Sequence, residues 1–436
     1  MMCPNPTDEP TSHDECGCPV DTGEASRRAF LAGAAATGAL AGLTAAGLDT
    51  RTAFAATGYR GDVLVVLSFR GGADGLNIVV PRSPADVAIY QHERPHTYIP
   101  QKSLLHLTPH FGLHPAMKPL MPWWQKGRLG FVHAVGQQSP SRSHFQAMAD
   151  LENAAPGASL RTGWLDRTLG LRRAGTAMQG CQVGGYIAAP MFLGQDSPEM
   201  VMSSVPDFRM LGAASSSQRH AWTRALTKLQ SGAPDTLRAP THSTVAAMKE
   251  LVPLQRHGYR PRAGAHYPQT ELGGALENVA WLIKARVGLQ VAAVDYGDWD
   301  MHADMGTVNA GWLHSKLNEL SHALNAFAHD LGPHFANVTL ITLTEFGRRV
   351  KQNGSGGTDH GHGQAVMMLG GGVRGGTVHG HWPGLATLDQ GDLKGATDYR
   401  DLLAEILQKR CGASASAISD VFPGLSPNPL GIVRAR

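Results

Sequence analysis

Between Asn337 and Gly376 the chain reads as a short apolar run, a polar glycine-rich loop and a second apolar run. The first run, Val338-Thr339-Leu340-Ile341-Thr342-Leu343, is rich in β-branched residues and too short for a core helix. A run of this kind fits a parallel strand buried on both faces, and such strands need helices on either side. It ends in Thr344-Glu345-Phe346-Gly347-Arg348, and the loop beyond carries Gly356-Gly357-Thr358-Asp359-His360-Gly361-His362-Gly363 before Ala365-Val366-Met367-Met368-Leu369. In open α/β sheets ligands bind beyond the carboxyl ends of the strands, so this loop is a place to look for chemistry.

The same grammar recurs. Val63 to Phe69 runs into Arg70-Gly71-Gly72-Ala73-Asp74-Gly75, and Leu129 to Val135 runs into a loop with Ser139-Pro140-Ser141-Arg142-Ser143-His144. Leu289 to Val294 leads to Asp298-Trp299-Asp300-Met301-His302. Helical patterns separate these runs: 115–127, a helix opening at a Ser143 cap, 271–287, 310–330 and 399–409. The alternation predicts an α/β fold, doubly wound around a mostly parallel sheet flanked by helices, in a single domain over 56–436. Residues 160–270, with helical stretches and one strand-like segment near Cys181, read as a partly helical insertion or cap region, and 258–269 as a linker.

Residues 1–55 read differently. Ser26-Arg27-Arg28-Ala29-Phe30-Leu31, a soft Ala/Gly/Leu run and Ala53-Phe54-Ala55 predict a twin-arginine signal peptide removed before Ala56. The expected location is periplasmic or secreted, with the twin-arginine translocase as partner during export. No later stretch has the length of apolar residues a spanning helix requires. Removing the signal takes the formal charge from +3 to +7, spread along the chain without a Lys/Arg block, so nucleic acid is not indicated and anionic substrates are favoured. Of five cysteines only Cys181 and Cys411 would remain, either paired or as buried thiols.

Four strand ends thus present Asp74, then Ser141 and Ser143, then Asp298, Asp300 and His302, then Glu345, Asp359, His360 and His362. Brought to one sheet edge, carboxylates and imidazoles suit a divalent metal (Zn, Ca, Mg or Mn), which stabilises negative charge developing on an ester.

In this order, Arg70-Gly-Gly-Ala-Asp74-Gly, Leu113-His114-Pro115, Arg142-Ser143-His144-Phe145, Trp299-Asp300-x-His302, Thr344-Glu345-Phe346-Gly347-Arg348, Gly357-Thr358-Asp359-His360-Gly361 and Gly370-Gly-Gly-Val-x-Gly375-Gly376 resemble the bacterial twin-arginine-exported family called domain of unknown function 1501. The resemblance covers roughly residues 60 to 430 and implies an alkaline phosphatase-like scaffold with a possible two-metal site. It further implies Asp74, Asp300, His302, Glu345, Asp359, His360 and His362 as metal ligands, with Asp298 an alternative to Asp300. Ser143 or Ser141 falls at the nucleophile position, with Arg142 beside it. Phe346 stands where the superfamily places a ligand histidine, and Gln138 where a sulfatase carries its modified cysteine. The expectation is an exported metal-dependent hydrolase of phosphate or sulfate esters. Its rival is a non-catalytic exported binding or assembly protein on the same scaffold.

Overall fold

A computed structural model of the protein describes residues 59, 61–171, 176–194, 199–210, 212–213 and 215–436. The signal-peptide expectation therefore lies outside the described residues. A nine-stranded sheet organises the rest. Its strands are Val63–Phe69 (β1), Leu129–Gly136 (β2), Gly180–Val183 (β3), Glu199–Met202 (β4), Val291–Tyr296 (β5), Val338–Leu343 (β6), Gln364–Gly370 (β7), Val378–His379 (β8) and Thr397–Asp398 (β9).

The sheet runs β4, β3, β5, β1, β6, β7, β2, β8, with β9 also paired to β2. Only β7 opposes its neighbours, pairing antiparallel with both β6 and β2. The mostly parallel sheet expected from the sequence is present, and β1 lies at its centre between β5 and β6. Because side chains alternate across a strand, Leu64 and Val66 enter one core while Val65, Leu67 and Phe69 enter the other. His144–Asn153 (α1), Trp164–Gly170, Tyr399–Lys409 and Ala415–Val421 cover the first face. Glu271–Ala285 and Trp312–Leu331 cover the second. A helix on each face is what makes the central strands apolar throughout.

Several boundaries moved. The strand expected at 289–294 is Val291–Tyr296, so Asp295 lies within the strand and bonds Arg70 instead of starting the loop. The helix expected over 115–127 divides into a 3-10 turn, Pro115–Leu120, and a short α-helix, Met121–Gln125, because Pro119 and Pro122 each lack the N–H an unbroken helix needs. Within 160–270, β3 and β4 belong to the central sheet, whereas Ser216–Gln230 and Asp235–His257 are helices packed on each other. The loop after β6 also contains a small antiparallel hairpin, Arg348–Gln352 with Thr358–His360. Cys181 and Cys411 are both buried and are not bonded to each other, which decides between the two alternatives left by the sequence. No helix of the described residues is long and apolar enough to cross a membrane.

Candidate metal centre

The central strands deliver their carboxyl ends side by side. After β1 the chain turns through Gly71 and Gly72, both at positive φ (118° and 75°). A Cβ on Gly71 would stand 2.5 Å from the Asp300 amide nitrogen, and one on Gly72 would stand 2.5 Å from the Phe346 ring. Glycine is therefore required twice, because the turn is pressed against the loops leaving β5 and β6.

Arg348 ties these loops together from a fully buried position. Its guanidinium donates to the carbonyls of Gly71, Gly72 (2.6 Å), Trp299 (3.1 Å) and Thr358 (2.9 Å). Nη2, the nitrogen that faces the Gly71 and Trp299 carbonyls, also reaches Asp300 Oδ1 at 2.7 Å. Arg348 thus pairs with Asp300 and not with the neighbouring Glu345. Burial raises the Asp300 carboxyl, but the Arg348 hydrogen bond and charge, with His360 and His302, outweigh it and bring the group down to about 2.

Three imidazoles surround Asp300, and each has its Nδ1 fixed by an acceptor outside the cluster. His144 Nδ1 lies 2.8 Å from Glu345 Oε1. His302 Nδ1 lies 3.0 Å from Asp359 Oδ1, and His360 Nδ1 lies 2.7 Å from the carbonyl oxygen of Arg142. Carboxylate and carbonyl oxygens only accept, so Nδ1 carries a proton in all three rings and Nε2 is the atom each ring turns toward Asp300. Those Nε2 atoms crowd together: His302 Nε2 is 2.9 Å from His360 Nε2, and the two stand 3.0 and 3.2 Å from Asp300 Oδ1. His144 Nε2 is buried, hydrogen-bonds to nothing among the described residues, and stands 3.4 Å from Asp300 Oδ2. One ligand atom each from His144, Asp300 and His360 lies within 4.8 Å of the other two.

The donor set fits a metal ion. Electron-rich atoms crowded at about 3 Å repel one another unless a cation or an extra proton sits between them. Histidine ligands held at the second ring nitrogen by a carboxylate or carbonyl are the usual outer shell of a metal site. Phe346 closes the floor, its ring centre 4.5 Å from that of His360 and 4.9 Å from that of His144, tilted against both.

Not every sequence-derived candidate arrives here as a ligand. Glu345 is buried and accepts from the Gly71 amide, the Thr344 hydroxyl and His144, so it orients the His144 ring. Asp359 does the same for His302, and the hydrogen bonds from Asn353 and His302 lower its pKa. Asp74 turns inward to a buried ion pair with Arg94, which also holds Asn77 and the Val350 carbonyl. His362 bonds the Gln137 carbonyl at 3.0 Å, away from the cluster. The Arg142 side chain is taken by Asp392, leaving only its carbonyl at the site. Ser143 is the exposed N-cap residue of α1, and its hydroxyl makes no cap hydrogen bond.

His144 is the ligand-type residue absent from the expected set. As the first residue after a serine cap it reads as the start of a helix, and only the packing of α1 against the end of β6 reveals it.

No curated protein matches the chain. Among solved structures, one titled "Crystal structure of Ps i-CgsB" is 10% identical, covering 81% of this chain and 72% of that one at a TM-score of 0.32, too low to bear on fold or function. Residues 279–415, which hold β5, β6, β7 and all of the cluster except His144, match the family model described as "Protein of unknown function (DUF1501)", and this match supports the DUF1501 family.

Proposed function

We propose that the protein is an exported metal-dependent hydrolase of phosphate or sulfate esters, with His144, Asp300, His302 and His360 holding one divalent ion. The observation that carries the reading is the convergence of His144, Asp300 and His360, one ligand atom of each within 4.8 Å of the other two, with His302 Nε2 2.9 Å from His360 Nε2 and every Nδ1 engaged elsewhere. Three imidazoles and one carboxylate suit Zn²⁺ or Mn²⁺ better than Ca²⁺ or Mg²⁺, which prefer all-oxygen shells. A bound ion would supply Lewis acidity toward an ester oxygen.

The chain's own residues supply the remainder. The cluster is open to solvent on one side, since the Asp300 and His302 side chains are 45% and 42% exposed. Ser143, at the N-terminus of the ten-residue α1, offers an uncommitted hydroxyl beside the positive end of the helix dipole, where an anionic ester group is held. Arg348 keeps Asp300 ionised and in place. Phe346 and the buried Glu345 exclude water from behind the imidazoles.

The test combines metal analysis with arylphosphate, phosphodiester and arylsulfate substrates on the wild type, Ser143→Ala and His302→Ala. Turnover that follows metal content and falls at least tenfold in His302→Ala supports the reading. Bound metal without turnover, or neither, leaves a binding or assembly protein on this scaffold.

A further inference from the structure

Seven large apolar side chains are exposed among the described residues, and five of them, Phe145, Leu160, Tyr186, Ile187 and Leu193, belong to α1 or to the loops around it. Soluble proteins expose single apolar residues freely, but a concentration beside a polar site marks a binding surface. Phe145 is 92% exposed and directly follows His144, so its Cα lies about 3.8 Å from that of a cluster residue. Tyr186 and Ile187, 74% and 84% exposed, sit in the loop leaving the carboxyl end of β3. That strand neighbours β5, whose exit carries Asp300, so the loop and the cluster share one sheet edge. The same loop continues into the turn Pro190–Phe192, which packs on α1.

We infer that these side chains form an apolar landing beside the metal centre and that the substrate is an amphiphile, an anionic ester bearing an aryl or long alkyl group. This rests on the metal-centre reading above. The anionic head meets the imidazole cluster and the N-terminus of α1, while the apolar part lies over Phe145 and reaches toward Tyr186 and Ile187. Aromatic side chains suit such a role because they bring large contact area at little conformational cost. A substrate made of a small polar ester alone would leave the landing wet and gain nothing from it.

The inference separates from the metal reading by binding, without turnover. Metal-loaded protein is titrated by calorimetry with naphthylphosphonate and with methylphosphonate, neither of which is hydrolysed at the C–P bond. The wild type is expected to bind the naphthyl compound at least about tenfold more tightly, a difference of about 1.4 kcal/mol. In Phe145→Ser with Ile187→Ser, two changes at exposed positions, the advantage drops to about twofold or less while metal content stays the same. Equal, metal-dependent binding of both compounds by the wild type overturns the landing and leaves the metal centre standing. Binding of neither overturns both. A dimer that dissociates in the double variant with the naphthyl preference unchanged overturns the landing too, and assigns the patch to a second copy of the chain.

Discussion

Glu345 Oε1 and His144 Nδ1 stand 2.8 Å apart although 201 positions separate them in the chain. The carboxylate leaves the end of β6 and the imidazole opens α1, so one hydrogen bond joins a central strand to the helix that covers it. It also fixes which nitrogen of His144 faces Asp300. Substituting Glu345→Gln keeps the shape but puts an amide in place of a charged acceptor. Metal affinity is expected to fall by about 10- to 100-fold, read by competition against a chromogenic chelator. An unchanged affinity with an unchanged fold would mean that His144 is not held for a metal.

Asp74 separates the expected ligand role from the observed ion pair. Its carboxylate and the Arg94 guanidinium are both buried, and a buried pair that loses one partner costs about 3 to 5 kcal/mol. Asp74→Asn is therefore expected to lower the unfolding free energy by several kcal/mol in denaturant titrations while metal per folded chain holds constant. Loss of metal with little loss of stability would restore Asp74 to the ligand set.

His133 gives the fold a dependence on acid. It sits in β2, its Nε2–H donating to the Val79 carbonyl at 2.9 Å and its Nδ1 accepting from the Ala134 amide at 2.8 Å, so the neutral ring satisfies both partners. Burial lowers its pKa to about 4, with smaller opposing effects from the Val79 carbonyl, Asp74 and Asp86. The unfolded chain binds the proton first as pH falls below 6.5, so the stability from His133 is present above 6.5 and is lost as pH falls toward 4. The slope is about 1.4 kcal/mol per pH unit for this one group. Denaturant midpoints between pH 7 and 4 should decline less steeply in His133→Gln; equal slopes would remove His133 as the cause.

The strands were legible because burial on both faces leaves a continuous β-branched run, as in Val338–Leu343, whose observed limits match the sequence reading. The helix Tyr399–Lys409 likewise has the limits read from the sequence. The Arg348–Gln352 hairpin strand was not legible, since Arg348, Arg349 and Lys351 look like a solvated loop. Its order comes from the Arg348 guanidinium reaching three distant carbonyls, of Gly71, Gly72 and Trp299, and that of Thr358 in the facing strand. The site followed the same division. Asp300 and His302 follow β5 and His360 lies in the hairpin that follows β6, the two strands that flank β1. His144, by contrast, depends on how α1 docks, and the fates of Asp74, His362 and the Arg142 side chain depend on Arg94, Gln137 and Asp392 far along the chain. Residue type named the chemistry available, and long-range pairing decided which groups remained free to perform it.

That His144, Asp300, His302 and His360 hold a metal ion is tested most directly by elemental analysis of the purified protein after gel filtration. About one divalent ion per chain is predicted, falling to about a tenth or less in His144→Ala and His360→Ala, and staying near the wild-type value in His362→Ala. A wild type without metal after incubation with Zn²⁺ or Mn²⁺, or one whose metal survives loss of His144 and His360, would contradict the account.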